Sequence, residues 1–174
     1  VAGLKGSRPP YTHHNQPDTG SFSLDVRGER LLIDPGYYKP DPTHHCLPVI
    51  NGRGPVPPDA FTGEITVCDE RGAVRYLACD SSAAYAQAGW RVVRHLVMLG
   101  ERALVVFDDI EAPVSGGPGE VVSWFQCGAP TQGLAAGRGI RVCGRQSELL
   151  MRFHGPRDCR VNRLPERTLH DTHW

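Results

Sequence analysis

Apolar and polar residues alternate in short runs along this chain, and turn residues separate the runs. Residues 21–26 read "SFSLDV", with apolar positions at every second residue. That period places one face on a core and one face toward solvent. "RGE" follows, then the apolar run "RLLID" at 30–34, so the spacing predicts a hairpin turning at Gly28. "LPVIN" ends at Asn51-Gly52, a second strong turn signal. "GEITVCDERGAVRYLAC" reads as strand, turn at Arg71-Gly72, strand. "WRVVRHLVMLGERALVVFDDIEA" reads as two long strands around Gly100. "GEVVSWFQC", "GIRVCG" and "ELLMRFHG" complete about ten expected strands.

Helical periodicity is nearly absent. The one candidate, "SSAAYAQAG" at 81–89, is too short to hold a helix alone and is expected to be a loop or a single turn. Consecutive apolar positions in "LVML" and "ALVVF" predict strands buried on both faces. The pattern predicts an all-β fold, an antiparallel β-sandwich with long Pro/Gly-rich loops. Residues 39–63 are the longest of these, and proline confines much of that stretch to loop or sheet edge.

Composition narrows the picture only a little. The chain has 174 residues, the size of one domain with a real core. Acidic and basic residues balance at 19 each, so nothing attracts it generically to nucleic acid or to an anionic membrane. No apolar run is long enough to span a membrane, and no signal-peptide pattern is visible. The start "VAGLKG" suggests a processed chain or part of a longer one. Six scattered cysteines without a C-x-x-C pair argue against a zinc ribbon, and free, buried thiols are expected.

Candidate chemistry concentrates in three places: His13, His14, Gln16 and Asp18; Asp34 before Pro35-Gly36; and the pair His44-His45. If the hairpin folds back on itself, Asp34 returns beside Asp18, and the 44–45 loop needs only a short return to join them. Two imidazoles and a carboxylate suit a divalent metal such as zinc, and a neutral imidazole can also take a proton. The competing reading is plain: a His-His pair in a loop is often solvated surface, and an Asp before Pro-Gly is often a turn former. Trp90 and Trp124 could stack on sugar rings, but beside strands they read as core. Arg91, Arg94 and His95 alternate along one strand and could face a uronate, but a solvated strand face or internal ion pairs with Asp108 and Asp109 is the stronger reading.

The segment "HNQPDTGSFSLDVRGERLLIDPGYY" resembles the start of the β-sandwich domain of heparinase II/III-like polysaccharide lyases. That family shows a His-x-His-x-Asp cluster, a Gly-Ser-Phe strand and an apolar strand ending Asp-Pro-Gly-Tyr. "LPVING", "CDSSAAY" and the paired strands ending at Asp108-Asp109 follow collinearly. The resemblance runs from about Lys5 to Phe125 and implies a sandwich of the supersandwich type. It implies one sandwich domain over residues 1–174, joined in the family to an N-terminal α/α toroid that this sequence lacks, in the same or another chain.

The implied reaction is β-elimination on a uronic-acid-containing polysaccharide. By position, His14 matches the catalytic histidine. Asn15, Gln16, Tyr38 and His44 are the implied substrate-binding residues. Asp34 and His45 match ligands of a zinc site, with Gln16 or His13 as a further donor. Gln16 stands where the family often has its second metal-binding histidine. The resemblance further implies an acidic polysaccharide partner, a periplasmic or secreted location, and a possible homo-oligomer. The reading from a different class is a non-catalytic carbohydrate-binding or structural assembly module derived from such a lyase.

Overall fold

The computed structural model describes residues 1–6, 16–34, 36, 41–55, 62–116, 119–135, 138–156 and 159–164. Twelve strands form among them: β1 (Ala2–Leu4), β2 (Phe22–Val26), β3 (Glu29–Leu32), β4 (Pro48–Ile50), β5 (Glu64–Arg71), β6 (Val74–Asp80), β7 (Arg91–Leu99), β8 (Ala103–Glu111), β9 (Val121–Ser123), β10 (Thr131–Gly133), β11 (Gly139–Cys143) and β12 (Glu148–Arg152). They build four sheets, ordered β1-β2-β3, β10-β11-β12, β4-β9 and β5-β6-β7-β8. Every pairing is antiparallel. The all-β sandwich expected from the alternation is the observed fold.

The turns follow from residue type. Arg27 and Gly28 both have positive φ, at 51° and 81°, and Val26 pairs with Glu29 across them. Asn51 and Gly52 repeat the device at 51° and 75°. A two-residue connection of this hand matches the twist of its strands, and a small or polar residue followed by glycine accepts it at least cost.

One side of the four-stranded sheet faces the core. Leu77, Leu96 and Val106 stand in register there, with Met98 and Leu104 beside them. They pack against Phe22, Leu24 and Leu32 of the β1-β2-β3 sheet and against Leu149 and Met151 of β12. A second cluster joins Ile50, Ala84, Tyr85, Trp90 and Val92. Trp90 is thus core, and Trp124 is half-buried with its backbone N–H on the Leu47 carbonyl.

The expectation that "LVML" and "ALVVF" are covered on both faces is not met. Val105 and Phe107 are 48% and 59% exposed, and Leu99 is exposed beside them. Tyr76, His95 and Phe107 lie on this open face, where the Tyr76 hydroxyl meets His95 Nδ1 at 2.8 Å. Consecutive apolar residues signal two-sided burial only when a second layer is present, and none of the described residues forms one there.

Residues 82–88 also depart from expectation. They form a 3-10 helix, Ser82–Ala88, closed by Gly89 at φ 69°. Tertiary contacts stabilise it where propensity does not. Ala84 and Tyr85 are buried, and the Tyr85 hydroxyl donates to the Pro48 carbonyl at 2.7 Å. Replacing Tyr85 with phenylalanine leaves that carbonyl without this donor and is expected to cost about 1–3 kcal/mol in urea unfolding. A loss below about 0.5 kcal/mol would show that the hydroxyl contributes nothing net.

The six cysteines are free, as expected, but only Cys46 and Cys79 are buried, and Cys68 is exposed on β5. Burial pushes the Cys46 thiol up to about 12 and the Cys79 thiol up to about 11, so both stay protonated at neutral pH.

Glu29 locks the β11–β12 turn onto the first hairpin. Its carboxylate accepts from the backbone N–H groups of Arg145 at 2.5 Å and Gln146 at 2.9 Å. The Gln146 N–H is the largest influence holding the carboxyl below the ordinary glutamate value of 4.5; slight burial opposes it, and the Arg145 N–H and Ser147 add to it. A depressed carboxyl stabilises the fold above its unfolded value and loses that contribution as pH falls through the folded one. In an NMR titration the Arg145 and Gln146 amide shifts should therefore move with a midpoint below 4.5. A midpoint at or above that value would contradict the latch.

Candidate functional site

The site is built on the entry to the first hairpin, its exit, and the loop that follows. At the entry, Gly20 takes φ 80° so that the chain can turn into β2. Ser21 N–H bonds the Asp18 carbonyl, and Gly20 N–H bonds the Lys5 carbonyl, fixing Asp18 beside β1. At the exit, Asp34 follows β3, and its Oδ1 accepts from Gly36 N–H at 3.0 Å. In the loop, Asp41 caps a 3-10 turn at Pro42–His44 and delivers His45 into the interior.

These segments converge. One ligand atom each from Asp18, Asp34 and His45 lies within 4.8 Å of the other two. The expectation that the hairpin carries Asp34 back beside Asp18 and the 44–45 loop is met. His45 is fully buried, and its Nδ1 sits 2.8 Å from Asp34 Oδ2. A carboxylate only accepts, so Nδ1 carries the proton. Burial raises the cost of ionising Asp34; the hydrogen bond and electrostatic pull of His45, the Gly36 N–H and Lys5 outweigh that cost and hold the carboxyl below its usual range.

Gln16 is buried, and its Nε2 donates to the Gly36 carbonyl at 2.7 Å. That bond fixes which end of the amide is nitrogen, because a carbonyl cannot donate. Gln16 Oε1 and His45 Nε2 are buried and have no hydrogen-bond partner among the described residues. Leaving such atoms dry costs about 1–3 kcal/mol each, so native structures rarely do so without a ligand or water. His44 is half-buried at the end of the 3-10 turn, its N–H on the Asp41 carbonyl. His13, His14, Asn15 and Tyr38 lie outside the described residues.

Two cationic residues frame the cluster. Lys5 Nζ lies 2.7 Å from both carboxylate oxygens of Asp18. Arg94 on β7 lies beneath, 1% exposed. Its Nε and Nη2 grip Asp108 at 2.6 and 2.8 Å, and its Nη1 donates to the carbonyls of Gly20, at 2.9 Å, and Cys46. Its guanidinium also stands 5.4 Å from the centre of the Phe22 ring. Burial opposes its charge, and Asp108 more than restores it. Arg91 pairs with Asp109 at 2.6 Å, so both arginines form ion pairs with the neighbouring strand.

The far half of the chain pins the 43–47 loop from the other side. Gln126 N–H donates to Cys46 Sγ at 3.2 Å, Gln126 Nε2 to the Thr43 carbonyl at 2.7 Å, and Trp124 N–H to the Leu47 carbonyl at 2.9 Å. Sequence reading missed these anchors and Lys5. No local pattern announces a contact between residues 5 and 18 or between residues 46 and 126.

The donor set of His45, Asp34, Asp18 and Gln16 fits a divalent cation. It offers an imidazole and oxygen atoms, and three of its members, Gln16, Asp18 and His45, carry a buried atom without a hydrogen-bond partner among the described residues. Cys46 adds no thiolate, since its sulfur is engaged with the Gln126 N–H and its proton is firmly held.

No protein-family model matches the sequence, and no curated protein matches it significantly. Solved structures do match. A heparinase III aligns with a TM-score of 0.67 at 13% identity, over 81% of this chain and 23% of its own. The heparan sulfate lyase HepC of Pedobacter heparinus aligns at 0.69 and 15% identity, over 87% of this chain and 25% of its own. The chain thus spans about a quarter of the length of these structures. At that identity the likeness concerns architecture: this chain has the β-sandwich fold of a domain-sized part of heparinase III and heparan sulfate lyase structures.

Proposed function

We propose that this chain is the β-sandwich portion of a polysaccharide lyase that cleaves a uronic-acid-containing polysaccharide by β-elimination. The observation that carries the reading is the convergence of Asp18, Asp34 and His45 at the hairpin entry, in a fold shared with heparinase III and heparan sulfate lyase structures. The segment with His14 leads directly into Gln16 and Asp18 of that cluster.

The reaction needs a base for the C5 proton, neutralisation of the uronate carboxylate as charge develops on it, and an acid for the leaving O4. In this reading His14 exchanges the proton, and Asn15, Gln16, Tyr38 and His44 line the sugar path. Asp34 and His45 hold a divalent cation, zinc or another, with Gln16 or His13 as a further donor. That cation supplies charge that braces the loops. The remaining groups of the reaction come from an α/α toroid on the same or another chain. The substrate is an acidic polysaccharide, and the location is periplasmic or secreted. Among the described residues no helix is long and apolar enough to cross a membrane.

The test is incubation of the full-length protein with heparin, heparan sulfate and alginate, following the ultraviolet absorbance of unsaturated uronate. Product from at least one supports the reading; none from any of them would sink it. The open apolar face around Val105 and Phe107 favours a second reading, an assembly module that forms a homo-oligomer. Sedimentation as a stable oligomer, with no lyase product, would favour that one.

A further inference from the structure

We propose that the Lys5 ammonium is a built-in counter-cation of the Asp18–Asp34–His45 cluster, and that a divalent ion must compete with it. This rests on reading Asp34 and His45 as cation ligands and goes beyond it by assigning what sets their affinity. Lys5 Nζ touches both oxygens of a carboxylate that is only 8% exposed, and both contacts measure 2.7 Å. The hydrogen bond runs to Oδ2, while Oδ1 has the ammonium as an ion-pair neighbour and no hydrogen-bond partner among the described residues, so the charge is balanced and one oxygen stays open to an incoming ion. The same ammonium acts on Asp34, where its charge is among the influences favouring the ionised carboxyl.

Lys5 is held in place by its backbone. Its N–H bonds the Ser21 carbonyl at 3.0 Å, and its carbonyl receives Gly20 N–H at 2.9 Å, on either side of the turn that carries Asp18. The residue type is informative. Among 19 basic residues only Lys5 and Lys39 are lysines. A compact ammonium is a point charge that can stand in for an ion, whereas the planar guanidinium of arginine spreads its charge over three nitrogens. A divalent ion held by Asp34 and His45 would meet this like charge beside Asp18, and would have to displace it or lose affinity to the repulsion.

The experiment is calorimetric titration of Mn²⁺, and separately Zn²⁺, into the full chain and three variants: Lys5→Met, Asp34→Asn and the double variant. Lys5 is 41% exposed at its side chain, and a thermal melt checks that each variant folds. The expected result is binding to Lys5→Met tighter than wild type by about tenfold or more, with the gain abolished in the double variant. Equal or weaker binding in Lys5→Met, lost on Asp34→Asn, overturns the role of Lys5 and leaves the ligand reading intact. Binding to no form, or binding indifferent to Asp34, overturns both.

Discussion

Replacing Arg94 with methionine is expected to destabilise the protein by about 3–5 kcal/mol, the usual cost of breaking a buried ion pair from one side. The loss has identifiable parts. Asp108 keeps its charge at a partly buried position without its bidentate partner, and the carbonyls of Gly20 and Cys46 lose their shared donor. Methionine retains much of the side-chain volume, so the effect reports on polarity more than on a cavity. Urea unfolding measures it, and a loss below about 1 kcal/mol would mean that the clamp is replaceable. Arg94→Lys is expected to recover only part of the stability, because an ammonium cannot grip Asp108 with two parallel bonds and reach both carbonyls. The clamp also bears on the site, since Gly20 and Cys46 are neighbours in sequence of the segments that present Asp18 and His45.

The second large effect concerns activity. In the full-length protein, His14→Ala is expected to lower the rate of unsaturated-uronate formation by about 10²–10⁴-fold, the usual contribution of a positioned acid–base group. An unchanged melting temperature alongside that loss would assign the effect to chemistry. Turnover close to wild type would remove His14 from the mechanism. A matching fall in melting temperature would assign it a structural part instead.

Much of this architecture is legible in the chain because it depends on local pattern. Alternation over 21–34, with a glycine at the turn, defines the hairpin, and the hairpin alone carries Asp34 back toward Asp18. The pairing of Arg94 with Asp108 follows from two charges placed symmetrically about the turn at Gly100. What escaped notice depends on contacts between distant segments. Lys5 meets Asp18 because β1 lies along β2, a pairing that three residues of unremarkable sequence do not reveal. The open face of β7 and β8 escaped for the opposite reason. Val97, Val105 and Phe107 look like core residues in any window of sequence, and only the arrangement of layers shows what covers them.

The anchoring of the 43–47 loop by Trp124 and Gln126 bears on the order in which the molecule assembles. The first hairpin closes locally, and loops of that length form within microseconds. The His45 loop instead waits for a partner some 80 residues further along the chain, and β4 waits for β9. Closing so long a loop costs entropy before its contacts repay it, so such pairings form late. On the ribosome the carboxylates therefore reach their turns first, and His45 settles between them only after Gln126 has emerged. A chain cut short ahead of β9 would lose the anchors that fix His45 in place.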